Sequence, residues 1–300
     1  MRCQCMKILE AIFSRLLFAV HGMFMVAVMI SYTDNMYYII LLSGVGLLFI
    51  EMIVTLKVTK SGEWKWFSPM VFLYLCTIVP SFFVIELHGL EVRMNVTNQT
   101  NSECSESEYQ KFSKEVQSVE ELTILVLIIG RWLMPRGKMN RDQLAQLLLI
   151  YLALGADMLD ILELMKEPSV KTNKSVTVIG LCLFTWALMQ FTIVLIQTVP
   201  SSSIEKVDNE RPQSSTEVKK CVLYCFASEV ANLMISVVMQ DGPFLIYRLY
   251  LVTREGVFND SMIFFISKNI LAVAIQVYRA VVFLCNENQK RKKQSQINLA

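Results

Sequence analysis

Runs of about 20 apolar residues, separated by short polar or proline-containing stretches, recur along almost the whole chain. A helix needs about 20 such residues to cross ~30 Å of hydrocarbon. Spans are read at roughly 9–30, 36–57, 67–88, 117–134, 143–164, 175–198, 220–240 and 262–285. The fourth is the weakest, because Leu122 to Met134 gives only 13 residues, or ~20 Å of helix. Apolar residues make up 54% of the 300-residue chain, against roughly 45–50% in soluble domains. The expected fold is an all-α integral membrane protein, a polytopic bundle of about eight transmembrane helices forming one multi-pass domain over 1–300. A formal net charge of +2 excludes a strongly basic nucleic-acid binder.

Orientation follows from the Lys and Arg bias of the connecting segments, which favours the cytosolic side. With the N-terminus inside, seventeen of the 28 basic residues fall on the cytosolic side and seven outside. The other four, Arg15, Arg248, Lys268 and Arg279, lie in apolar stretches. Sequons at Asn95 and Asn98 fall in the longest exterior loop, 89–116, and agree with the charge count. Those at Asn173 and Asn259 sit close to helix ends and are expected to be unused. Both termini are therefore placed in the cytosol, with a basic tail over 286–300, in the plasma membrane or a secretory-pathway membrane. The run Lys290-Arg291-Lys292-Lys293 suits anionic lipid, although a cytosolic stop signal suffices. Cys104 is alone among the eight cysteines in that exterior loop, which argues against a disulfide-stapled ectodomain.

Ionisable side chains inside spans are costly, so they usually face the bundle interior and pair. Gln143, Gln146, Ala153, Asp157 and Asp160 fall within one narrow arc of the fifth helix. Cys225, Glu229, Asn232, Ser236 and Gln240 do so on the seventh, and Lys268, Asn269, Ala272, Gln276 and Arg279 on the eighth. At 1.5 Å of rise per residue, Asp157, Asp160 and Lys268 share an outer level, while Arg15, Glu51, Glu229 and Arg279 share an inner one. Two charge-paired layers are expected. They read either as a static network fixing helix register or as carboxylates that bind a cation or relay a proton. The first reading is favoured, and two Asp oxygens alone do not complete a metal shell.

Asp241-Gly242-Pro243 reads as a helix break. The apolar stretch that follows, 243–253, is either an interfacial elbow, which is the commoner outcome, a re-entrant piece, or the seventh span continued past a kink. Trp64, Trp66 and Phe67 precede Ser68 and Pro69, which suggests interfacial aromatics, then a helix cap and a first-turn proline. Arg131-Trp132 reads as a similar surface anchor. With only His21 and His88, a His-rich di-metal site is excluded, and no phosphate loop or nucleophile elbow is present.

Several stretches together resemble one family. They are Glu51 to Lys57; Lys65 to Pro69 with Phe72 to Leu75, Val79-Pro80-Ser81 and Glu86-Leu87-His88; Leu127 to Leu133; Arg141 to Leu144; Ala156-Asp157 with Asp160; Gln240 to Leu245; and Lys268-Asn269 with Tyr278-Arg279. This combination is similar to the transmembrane protein 26 family. The resemblance implies a multi-pass membrane protein and brings no catalytic residues to carry over. The expected function is that of a non-enzymatic scaffold, surface or accessory membrane protein. The alternative is a transporter or channel using intramembrane carboxylates paired with Lys or Arg. No cofactor, metal or nucleic-acid partner is expected; membrane lipids, other membrane proteins or a second copy are the expected partners.

Overall fold

The computed structural model describes residues 2–59, 64, 67–98, 103–134, 141–167, 170, 173–193, 235–258 and 260–297. Helix dominates them, and the described residues contain no strand. The described residues form eight α-helices: α1 Arg2–Thr33, α2 Leu42–Val58, α3 Pro69–Asn98, α4 Glu103–Leu133, α5 Arg141–Met165, α6 Lys174–Leu188, α7 Gly242–Tyr250 and α8 Asp260–Ile297. Among the described residues, five helical stretches are long and apolar enough to cross a membrane: Ile8–Thr33, Met36–Val58, Pro69–Val92, Lys174–Thr192 and Asp260–Val282.

The chain divides into two compact units, Met1–Val194 and Leu195–Ala300. In the first, α1 packs on α2, α3 and α4, while α5 packs on α4 and α6. Its core is built from large side chains at the helix crossings. Phe18 of α1 lies on Tyr74 of α3, ring centroids 4.6 Å apart, and the Tyr74 hydroxyl meets His21 Nδ1 at 2.8 Å. Phe82 packs edge to face on Phe184 at 5.6 Å, and Tyr151 stacks on Phe191 at 5.5 Å. Close approach of the helices depends on small residues, as it does generally in membrane bundles. At Gly130, any β-carbon would overlap the Phe18 ring.

Helix ends obey local chemistry. After α1, Asp34 adopts a left-handed conformation (φ 49°), which Asp tolerates better than most residues. Asn35 Oδ1 then accepts from Tyr37 N at 3.0 Å, and Met36–Leu41 forms a 3₁₀ turn ahead of α2. The sixth span was expected to reach 198, but α6 ends at Leu188, a 3₁₀ turn follows to Thr192, and Ile193 is extended. There Ile193 forms an antiparallel bridge with Phe67, and Ser68 N donates to Thr192 O at 2.8 Å. The expected cap by Ser68 is not made. Its buried Oγ has no hydrogen-bond partner among the described residues, and backbone pairing with Thr192 orients the start of α3 instead.

The segment 89–116, expected as a loop, largely continues the helices on either side. α3 runs 30 residues to Asn98 and α4 starts at Glu103. This stretch contains no proline, so neither helix is broken by a missing N–H before its end. The tail behaves likewise, because α8 continues to Ile297 as one 38-residue helix.

In the second unit, the chain does not break at Asp241-Gly242-Pro243. Val237–Asp241 forms a π turn that leads directly into α7. Gly242 N donates to Val237 O, five residues back, and Pro243, which has no N–H, falls at the start of the following α-helix. Gly is required, because a β-carbon here would lie 2.8 Å from Val237 O. The expected break is thus corrected to a continuous helix with a local widening. A second π turn, Leu251–Glu255, ends in Gly256 at φ 67°. α8 then packs back along α7.

Candidate functional site

The polar groups within the helices fall into separate clusters. In the first unit, Arg15 of α1 and Glu51 of α2 form a bidentate ion pair, Nε to Oε2 at 2.9 Å and Nη2 to Oε1 at 3.0 Å. Their side chains are only 5% and 8% exposed, so neither charge could be left alone without a large desolvation cost. Further bonds reach both partners. Arg15 Nη1 donates to Ala11 O at 3.1 Å, and Thr55 Oγ1 donates to Glu51 Oε1 at 2.6 Å. Trp64 Nε1 donates in turn to Thr55 Oγ1 at 3.1 Å. An interfacial aromatic is therefore wired to a buried ion pair through one hydroxyl.

Asp157 and Asp160 are both buried on α5 in this unit. Lys268 belongs to the second unit, half-buried on α8, with its ammonium 5.6 Å from the Phe265 ring centroid. Arg279 is exposed on the same helix, and Glu229 lies outside the described residues. Of the charges expected in two layers, Arg15 and Glu51 are joined in an ion pair within the first unit.

Asp241 takes a role that its place in a turn-like motif does not suggest. It is buried, and its Oδ2 accepts from Gln276 Nε2 of α8 at 2.9 Å and from Ser236 Oγ at 3.3 Å. Nearby Arg248 is fully buried on α7, its guanidinium 4.9 Å from the Phe265 ring centroid and 5.8 Å from that of Phe244. Cation–π contact of this kind is the usual way a guanidinium is accommodated among aromatics.

Two further buried charges were not anticipated. Arg131, expected as a surface anchor, is fully buried. It lies 5.9 Å from the Tyr151 ring centroid, and its Nη1 contacts Met134 Sδ at 2.9 Å. Glu120 of α4 is 1% exposed, with Lys166 Nζ 3.0 Å from its Oε2. The signal available for this cluster was the register of the apolar runs: α5 ends at Met165, next to Lys166, and Glu120 stands just before the apolar run of α4 that begins at Leu122. Asn95 and Asn98 lie on the last turns of α3, beyond Val92.

Apolar helices of spanning length, with charges matched inside the bundle, define a helical integral membrane protein. The family is settled by sequence: the chain belongs to the transmembrane protein 26 family, whose model matches residues 5–279. No solved structure matches the chain.

Proposed function

We propose that this protein is a non-enzymatic scaffold, surface or accessory membrane protein, acting through association with lipids and neighbouring membrane proteins. Eight spans, cytosolic termini and glycosylation at Asn95 and Asn98 complete the topology proposed. The supporting observation is the Arg15–Glu51 pair, bidentate and bonded further to Ala11 O and Thr55. A bidentate pair so enclosed holds α1 and α2 in register and leaves little capacity for a ligand. Long faces of α2 and α8 stay uncovered, with 17% and 11% of their spanning windows buried, which suits contact with lipid or another helix.

Transport through intramembrane carboxylates is the second reading, supported by buried Asp157 and Asp160 one turn apart on α5 and by the π turn that carries Asp241. Ion flux in reconstituted vesicles tests both, comparing the wild type with Asp157→Asn and Glu229→Gln after folding has been verified. Absence of flux together with lowered melting temperature in the variants supports the scaffold reading. Flux that either substitution abolishes overturns it.

A further inference from the structure

Two cations stand within the apolar part of α8, which begins at Met262 and ends at Cys285. Lys268 comes six residues after the first of these and Arg279 six residues before the last, so each α-carbon lies ~9 Å inside. Their surroundings differ. Side chains leave a helix toward its N-terminal end. For Lys268 that direction leads to the nearer end of the apolar part, and its ammonium lies over Phe265, three residues back, 5.6 Å from the ring centroid. It is placed to snorkel to the headgroups on that side. For Arg279 the same direction leads to the middle of the hydrocarbon, away from the nearer headgroups beyond Cys285. Arg279 is exposed, and among the described residues it has no hydrogen-bond or ion-pair partner. A guanidinium stays charged, and a charge at membrane depth is costly enough to require a partner.

We infer that the exposed face of α8 beside Arg279 docks a transmembrane helix of another protein, and that this helix carries a carboxylate at the depth of Arg279. The inference deepens the accessory-protein reading and rests on it. Leu271, Ile275 and Val282 lie within about a quarter turn of Arg279 and are all exposed, which makes an apolar seam with one charge at its edge. Ser267 and Ala274 are exposed further round the same side, and small residues let a neighbouring backbone come close. A second copy does not suit this seam. Copies inserted in the same sense and related by a two-fold axis would bring Arg279 toward Arg279, two like charges in a low dielectric. A wholly apolar helix would cover the guanidinium without a counter-charge. An Asp or Glu supplies both the charge and the paired oxygens that a guanidinium fork matches.

Fluorescence energy transfer in phosphatidylcholine vesicles tests this, with an acceptor on the full chain and a donor on a synthetic leucine-rich helix of about 20 residues. Three peptides are compared, carrying Asp, Asn or Leu six residues from one end. The Asp peptide should associate with the wild type about tenfold more tightly than the Leu peptide. Arg279→Lys should keep that preference and Arg279→Leu should abolish it. Arg279→Leu removes no hydrogen bond or ion pair among the described residues and should melt with the wild type, so lost preference is not lost folding. Equal binding of the Asp and Leu peptides to the wild type overturns the inference, whether lipid phosphate or an acid of the chain itself, such as Glu229, already neutralises Arg279. So does an Asn peptide that binds as tightly as the Asp peptide, or a preference for Asp that survives in Arg279→Leu. Ion flux in vesicles without peptide decides the accessory-protein reading separately, so the failure of one is distinguished from the failure of the other.

Discussion

Arg15 on α1 grips Glu51 on α2 through two parallel hydrogen bonds of 2.9 and 3.0 Å, and Thr55, one turn further along α2, closes the carboxylate from its other side. Cutting one partner is expected to be worse than removing both. Glu51→Gln or Arg15→Met should destabilise by about 3–5 kcal/mol, since each strands a buried charge or weakens its only counter-charge. The double variant Arg15→Met/Glu51→Leu should cost much less than the sum. Thermal unfolding in detergent, arranged as a double-mutant cycle, measures the difference.

The π turn makes a prediction about a single atom. Gly242→Ala places a methyl 2.8 Å from Val237 O, so the turn must open. A loss of about 1–3 kcal/mol is expected, as for other overpacked sites. Gly256→Ala, with φ at 67° and open space around the new methyl, should cost only the left-handed backbone penalty of about 1–2 kcal/mol. Melting temperatures of the two variants give the comparison.

Gly130 and Phe18 should behave as a coupled pair. Gly130→Ala collides with the ring and is expected to cost about 1–3 kcal/mol, whereas Phe18→Leu in the same chain should recover part of that by making room. Equal losses in the two backgrounds would show that α1 and α4 are not in contact here.

The sequons should divide by their backbone roles. Asn173 caps α6, its Oδ1 accepting from Val176 N. Asn173→Ala should therefore cost about 1 kcal/mol without altering electrophoretic mobility. Asn95→Gln and Asn98→Gln should each remove a mobility shift that glycosidase treatment also removes, if the α3 end faces the lumen.

The course of the helices was legible because hydrophobic runs of spanning length report directly on the solvent around them. Depth arithmetic also placed Arg15 and Glu51 on one level, since rise per residue is constant in a helix. What escaped the sequence were partners supplied from far along the chain. Glu120 and Lys166 each lie within a few residues of an expected boundary, where a charge needs no companion, and packing brings them together. Arg131 looked interfacial until Tyr151 of the neighbouring helix covered it. The Asp241-Gly242-Pro243 stretch carries every local sign of punctuation, yet the bond from Gly242 N to Val237 O keeps it helical. Such a bond depends on the chain before the motif and not on the motif.

One unbroken α8 changes what its basic end can address. The apolar residues of the helix run on to Cys285, and the basic run beginning at Lys290 comes five residues later, ~8 Å along the axis. Headgroups occupy about 5–7 Å beyond the hydrocarbon on each side, so this run falls within the ~8 Å over which charge is felt in physiological salt. Standing upright, α8 is a rigid post that holds its basic run at the level of the lipid headgroups.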